Sequence, residues 1–539
     1  MCGIFFYKTK KITDEYKKVI KENFEKIRHR GPDDTEFVLD RDMCIGFHRL
    51  AINGISEKGN QPFVYEGGYV ICNGEIYNWR QLNKRYKLGL EDDDSDCAVL
   101  MPLYKKVGLE KMVELLDGVF AFVIVDGGDI MAARDPIGVR PLFWGCGQSI
   151  GFCSEAKGLV NLMDVEPFPA GSYWSLKDGY PRRYFRIDEW RDDGPNPYLS
   201  LMGEKAVSKA VRDVLVGAVR KRMLSERPIG CLLSGGLDSS LVASILQREM
   251  GEKRLNTYSI GFKGSPDLEA AKKVAEHIGS NHHEVLMDWK EVEARLPEII
   301  MYLETYDTTT IRASVGMFFV SEYIKKNTDD IVIFSGEGAD ELCQGYLYFH
   351  RQPSVMMGQM ESMRLMDNLY MYDVLRADRT TAAHGLELRV PFLDKEFMKL
   401  IVSLRGEIVA PRKGMEKWLI RSAFGRSGLL PDEILWRKKE AFSDGVSSEK
   451  NNWIDKIRKL ARSMVDEKEL ESNIYKHCSP RTVEELYYRK IFEAFYPNGE
   501  NWIKEYWMPK WSPETMDPSA RTLNTYHMRQ QNNFLQDGT

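Results

Sequence analysis

Residues 229–240 read Ile-Gly-Cys-Leu-Leu-Ser-Gly-Gly-Leu-Asp-Ser-Ser. A short apolar strand runs into two adjacent glycines and then into a helix, which starts as an Asp-Ser-Ser turn. The glycines let the backbone approach an anion closely, the serines offer hydroxyls, and a helix N-terminus adds N–H donors and a favourable dipole. The string is neither GxxxxGKS nor GxGxxG, so it is not a Walker loop or a dinucleotide fingerprint. Outward from it the rhythm alternates. Helical patterns cover 204–222, 241–249, 268–277 and 315–325. Strand patterns cover 229–233, 257–262, 283–287 and 331–334. Strands alternating with helices predict βαβ units and a doubly wound parallel sheet, with added helices after about residue 355.

A second loop follows the strand at 331–334: Ser335-Gly-Glu-Gly-Ala-Asp-Glu341. Ligands of such sheets gather at the carboxyl ends of the strands, where both loops fall. Asp238 among phosphates requires a cation, which predicts Mg²⁺.

The first third has another character. Short strand-like runs at 43–48, 69–73, 119–126, 130–134 and 141–144 are separated by Gly, Asp and Pro turns. They predict packed antiparallel sheets, with helices at 14–27 and 98–116. The run Arg191-Asp-Asp-Gly-Pro-Asn-Pro-Tyr198 is the best linker. The expected division is 2–190, a linker over 191–203, a second region over 204–521 and a polar tail over 522–539. At one domain per roughly 150 residues, 539 residues would suggest three or four domains.

Composition excludes several classes. There are 75 Lys plus Arg against 80 Asp plus Glu, a net charge of −5, so no footprint for nucleic acid or an anionic membrane is expected. No apolar run is long enough to span a bilayer. The nine cysteines are scattered without a CxxC pair, as in a reduced, cytoplasmic protein. Adjacent His282 and His283 do not share a helix face, so they make no metal pair.

Cys2 follows the initiator Met. Loss of Met1 would give it a free α-amino group, with an ordinary pKa of about 7.7–8.0, to act as base for its own thiol. Four further segments carry compatible chemistry: Arg28-His-Arg-Gly-Pro-Asp33, His48-Arg-Leu-Ala-Ile52, Asn73-Gly-Glu-Ile-Tyr-Asn78 and Ser95-Asp-Cys97. An arginine suits a carboxylate, and a side-chain amide beside a glycine N–H suits an oxyanion. In this order they resemble the class II, N-terminal nucleophile glutamine amidotransferases, whose fold is an αββα sandwich. The resemblance implies that Cys2 attacks the glutamine carboxamide. Asn73 and Gly74 would hold the oxyanion, Arg49 the α-carboxylate, and Glu75 and Asp96 the α-ammonium. Leu50, Ala51, Ile52 and Asn53 would complete the glutamine pocket.

Further strings settle the second region. They are Glu304-Thr-Tyr-Asp-Thr-Thr-Thr-Ile-Arg312, Gly345-Tyr-Leu-Tyr-Phe-His350, Leu388-Arg-Val-Pro-Phe-Leu-Asp394 and the run that starts Trp436-Arg-Lys-Lys439. With Ser234–Ser240 they resemble the glutamine-hydrolysing asparagine synthetases, from Cys2 to about Arg521. The resemblance implies that aspartate and MgATP give β-aspartyl-AMP and pyrophosphate, and that ammonia then displaces AMP. It assigns Leu232 and Ile260 to the base pocket. Ser234, Gly235, Gly236, Asp238, Ser239, Ser335 and Gly336 would surround the phosphates. Asp238 and Asp340 would hold Mg²⁺, and Lys439 would neutralise the leaving pyrophosphate. Thr309 and Arg312 would support the intermediate, and Glu337 ammonia attack. The implied partners are aspartate, glutamine and ATP, with a homodimer by analogy.

The chain departs from the family at Ala98, at Gln344, where glycine is usual, and at His384, where an aromatic residue is usual. The alternative is a related adenylating, amide-forming synthetase acting on another carboxylate. Those relatives generally lack the nucleophilic cysteine. An amidotransferase feeding a phosphoribosyl or sugar acceptor would lack the loop at 234–240.

Overall fold

The computed structural model describes residues 1–192, 203–439, 442–448, 452–471, 474–524 and 526. The N-terminal region supplies twelve strands: β1 (Gly3–Lys8), β2 (Asp34–Asp40), β3 (Met43–Arg49), β4 (Phe63–Tyr65), β5 (Gly68–Ile76), β6 (Gly118–Asp126), β7 (Asp129–Arg134), β8 (Phe143–Cys146), β9 (Ile150–Cys153), β10 (Glu166–Pro167), β11 (Ser172–Ser175) and β12 (Arg182–Arg183). They form two six-stranded antiparallel sheets, ordered β10-β8-β9-β1-β3-β2 and β12-β11-β7-β6-β5-β4.

Alternation along the strands makes four layers. Ile4 and Phe6 of β1 point inward against Ile71, Ala121, Val123 and Trp174 of the other sheet. Phe5 and Tyr7 point outward onto Ile20 and Phe24 of the helix Asp14–Glu25. On the far side Cys72, Phe120 and Phe122 meet Met101, Leu103, Met112 and Val113. Both faces of each sheet are covered, which is why the strands read as continuous apolar runs. The expected αββα sandwich is present.

The second region builds a five-stranded sheet from β13 (Ile229–Leu232), β14 (Asn256–Gly261), β15 (Asn281–Leu286), β16 (Val332–Phe334) and β17 (Glu387–Arg389). The order is β15-β14-β13-β16-β17 and every pairing is parallel. The chain reverses its direction of winding between β13 and β16, so the loops after these two strands form the crevice of a doubly wound sheet.

One expectation is corrected and two elements appear that the sequence patterns do not show. The helix expected over 98–116 is a 3₁₀ turn (Asp96–Val99) and two helices (Leu100–Val107 and Leu109–Leu115) broken at Gly108, whose φ is +79°. The helix Trp289–Leu303 was not anticipated because Pro297 interrupts its pattern. Strand β17 was not anticipated because only three residues form it, two of them charged.

The proposed linker 191–203 lies outside the described residues except for its ends, and so does most of the proposed tail 522–539. The packed region passes residue 521, since Leu523 is buried against Leu347, Tyr348 and Trp511. Among the described residues no helix is long and apolar enough to cross a membrane.

The two regions meet through buried charge. Arg30 pairs with Glu155 (2.7 Å) and, across the interface, with Asp378 (2.8 Å). Glu304 accepts from the backbone N–H groups of Ala156 (2.9 Å) and Lys157 (2.8 Å) and pairs with Arg379 (2.7 Å). These groups are desolvated, so breaking one pair costs far more than at a surface.

Candidate active sites

Cys2 precedes β1 and faces a small cavity that Arg49, Leu50, Ile52, Asn53, Asn73, Gly74, Glu75 and Asp96 also line. Strand β5 delivers Asn73 and Glu75, β3 ends in Arg49, and the 3₁₀ turn Asp96–Val99 brings in Asp96. The backbone N–H of Cys2 donates to Asn73 Oδ1 (3.0 Å), and the N–H of Leu50 donates to Cys2 Sγ (3.4 Å). Arg30 fixes the Cys2 carbonyl (3.0 Å). Burial pushes the Cys2 thiol up to about 11, so it stays protonated until a base removes the proton.

Asn73 Nδ2 is buried and has no hydrogen-bond acceptor among the described residues. An orphaned donor beside a thiol is a ready partner for an oxyanion. Arg49 donates to the carbonyls of Gly54 (2.5 Å) and Ser56 (2.9 Å) and to Asn60 Oδ1 (2.5 Å). Those direct acceptors are neutral, and Asp33, Asp34 and Glu226 act on it only at longer range, so the guanidinium suits a substrate carboxylate.

Asp96 accepts from the Ile76 N–H (2.6 Å), and burial raises its carboxyl to about 6. Glu75 accepts from Asn53 (2.6 Å) and pairs with Arg389 (3.1 Å), while burial pushes its carboxyl above the usual range. Ala51 does not line the cavity; its N–H donates to Asp33 (2.9 Å). Glu387 also lines it, contributed by the far region.

The second cavity sits at the crevice between β13 and β16. Leu232, Ser234, Gly236, Asp238, Ser239, Ile260, Thr309, Ser335, Gly336, Glu337, Asp340 and Lys439 line it. Ser234 Oγ lies 2.9 Å from Ser239 Oγ and accepts from the Gly236 N–H (3.3 Å), which shapes the loop. Gly235 has φ +72°, and a Cβ there would sit 2.5 Å from Ala271 N. Gly336 lets the second loop pass the first; a Cβ there would lie 2.8 Å from Ser239 N.

The two carboxylates expected to hold a cation converge. Lys417 bonds Asp238 and lies 2.5 Å from Asp340, and Lys439 lies 2.5 Å from Asp340. These ammonium groups hold Asp340 well below the usual carboxylate range. Asp238 Oδ1 is buried without a hydrogen-bond donor among the described residues. Two converging carboxylates beside a glycine-rich strand-to-helix loop suit Mg²⁺, which takes one or two protein carboxylates and completes its shell from other oxygen ligands and water.

Glu337 accepts from Arg376 (2.8 Å), and burial raises its carboxyl. Gly235 does not line the cavity; its carbonyl accepts from Arg437 (3.1 Å). Arg312 is also outside it, bound to Glu484 (2.8 and 2.6 Å) and Asp517 (3.0 and 2.8 Å). Sequence reasoning missed Lys417, Arg376 and Trp507, which line the cavity.

Two of the three family departures lie in the second region, at Gln344 and His384. Gln344 holds φ +52°, a region glycine enters more freely, and its buried side-chain amide has no hydrogen-bond partner among the described residues. The ring of His384 packs edge-on to Phe318 (4.5 Å), and burial lowers its pKa to about 4, so it serves as a neutral aromatic group.

Comparison with known proteins identifies both regions of the chain. The Glutamine amidotransferase domain model matches residues 1–171, and the Asparagine synthase model matches 210–365 and 359–524. Asparagine synthetase [glutamine-hydrolyzing] of Gallus gallus is 46% identical over 563 residues, covering 98% of this chain and 99% of that protein. The proteins of the same name from Cricetulus griseus and Homo sapiens are 46% and 45% identical over 536 residues, each covering 93% of this chain and 95% of the relative. The chain belongs to the family of glutamine-hydrolysing asparagine synthetases.

Proposed function

We propose that this chain makes L-asparagine from L-aspartate, with ATP as co-substrate and glutamine as the source of ammonia. At the first site the α-amino group of Cys2, freed by removal of Met1, takes the thiol proton. The thiolate attacks the glutamine carboxamide. Asn73 Nδ2 and the Gly74 N–H receive the oxyanion, while Arg49, Glu75 and Asp96 orient the amino-acid end. Glutamate leaves after water opens the thioester. The ammonia travels inside the protein, where it stays neutral and nucleophilic.

At the second site the aspartate side chain attacks the α-phosphate, giving β-aspartyl-AMP and pyrophosphate. The loop at 234–239 cradles the phosphates, and Lys417 and Lys439 neutralise the departing pyrophosphate. Asp238 and Asp340 would hold Mg²⁺, which supplies charge neutralisation between the phosphates. Glu337, whose carboxyl burial raises beside Arg376, would take the proton that ammonia loses as it displaces AMP. Arg312 acts from outside the cavity. The same reading divides the chain into a glutaminase region over 2–190, a linker over 191–203 and a synthetase region from 204 that takes in the buried Leu523. A cytoplasmic location and a homodimer belong to the same reading; light scattering of the purified protein tests the dimer.

One observation carries this reading: two cavities of complementary chemistry in one chain, with Glu387 of the ATP-site sheet entering the wall of the Cys2 cavity. Purified protein given aspartate, glutamine and MgATP should form AMP and asparagine in equal amounts. ADP in place of AMP would refute the adenylation step.

A further inference from the structure

The ATP-site cavity is walled on one side by the last described part of the chain. Trp507, Pro509, Pro518, Ala520 and Leu523 all contribute. This segment has little regular structure of its own and is fastened by side chains. At its start the Trp507 N–H donates to Asp307 (2.7 Å), and the Thr309 hydroxyl donates to the Trp507 carbonyl (3.3 Å). At its end the Ser519 hydroxyl donates to Asp444 (2.7 Å), Arg521 donates to the Ser447 carbonyl (3.0 Å), and Leu523 is buried.

The middle fastening is ionic. Asp517 receives both terminal nitrogens of Arg312 (3.0 and 2.8 Å), one from Arg458 (2.6 Å) and the Ser519 N–H (2.8 Å). Together these hold its carboxyl well below the usual carboxylate range. Arg312 lies on the helix Thr308–Asn327, whose Thr309, Ala313 and Met317 face the cavity. Arg312 itself faces away and is 3% exposed. It is neutralised by Glu484 and Asp517, so it offers no free charge to a substrate. What it does hold is the segment.

We propose that residues 507–523 form a strap that keeps water from the acyl-adenylate, and that Asp517, gripped by Arg312 and Arg458, is its positioning residue. This rests on the function proposed above for the cavity. An acyl-adenylate is a mixed anhydride. Ammonia attacking its acyl carbon forms the C–N bond and breaks the acyl C–O bond. AMP leaves with the electron pair, and the surplus proton passes to a base. Water attacking the same carbon forms a C–O bond, breaks the same acyl bond and returns aspartate and AMP, with its proton lost to solvent. Excluding water is therefore what couples ATP cleavage to amide formation.

The test is the product ratio of the full-length enzyme with aspartate, glutamine and MgATP. The native protein should give one AMP per asparagine. Asp517→Asn should raise AMP per asparagine by about twofold or more, because water reaches the intermediate. Glutamate release from glutamine alone should be unchanged, and Asp517→Glu should restore the ratio. AMP and asparagine falling together at a constant ratio would overturn the proposal. A native enzyme that makes no aspartate-dependent AMP would instead defeat the reading of the cavity. A second measurement needs no variant. Trypsin cleavage at Lys510 and Arg521 should be slowed by MgATP with aspartate, and equal cleavage with and without them contradicts a strap.

Discussion

The guanidinium of Arg389, on the edge strand β17 of the ATP-site sheet, lies 3.1 Å from the carboxylate of Glu75 in the glutamine cavity. The same guanidinium pairs with Glu387 (2.6 Å) and donates to the carbonyls of Arg222 (2.9 Å) and Leu224 (3.0 Å). Glu387 pairs in turn with Arg140 (3.3 Å). One arginine thus ties the electrostatics of the amidotransferase cavity to the synthetase fold. Arg389→Leu leaves Glu75 buried without its paired cation and Glu387 with Arg140 as its remaining arginine, a loss of about 3–5 kcal/mol of stability. Thermal unfolding should register that loss. Glutamine-dependent synthesis should fall further than ammonia-dependent synthesis, because Glu75 lines only the first cavity. Equal loss of the two activities would contradict the assignment.

Cys2→Ala removes the nucleophile and leaves the second cavity untouched. Glutamine-dependent asparagine formation should vanish, while synthesis from ammonium salts persists near the native rate. Loss of both would mean that the two sites are not separable.

Asp238→Ala should act in the opposite sense. It removes one of the two carboxylates that converge on Lys417 and would share the cation. AMP and pyrophosphate formation should stop with either nitrogen source, and glutamate release should continue. Continued pyrophosphate release would contradict the metal assignment.

Asp96 gives a pH dependence with a defined sign. Burial raises its carboxyl from 3.8 to about 6, so it retains a proton up to that pH. Only the charged form attracts the α-ammonium of glutamine. The glutaminase kcat/KM, which reports ionisations of the free enzyme, should therefore be full above about pH 6 and fall about tenfold per unit below it. Asp96→Asn should lower kcat/KM and flatten that limb. An unchanged acid limb in the variant would assign the ionisation elsewhere.

Much of this was legible in the sequence because the chemistry is contiguous. The loop at 234–240 carries its glycines, hydroxyls and Asp238 in seven residues, so strand, turn and helix could be read together. Asn73, Gly74 and Glu75 stand side by side, and Cys2 is marked by its position. The remainder depends on contacts between distant residues. Lys417 reaches Asp238 from 179 positions away, within a segment that carries no phosphate motif. Glu387 and Arg389 form a strand too short to show a period, yet they enter the cavity of the other region. Arg312 was placed at the intermediate by resemblance, whereas its side chain turns to Glu484 and Asp517. Helix phase decides that, and a motif does not report which face of its helix meets the substrate.

The central claim is that nitrogen released at Cys2 is consumed at the adenylate. It is tested most directly by giving the native enzyme aspartate, MgATP and glutamine labelled with ¹⁵N in its amide, with unlabelled ammonium in the medium. The account predicts ¹⁵N-asparagine formed mole for mole with AMP and glutamate, with its label little diluted by the medium. Label recovered in free ammonium, with asparagine carrying the isotope ratio of the medium, would contradict it.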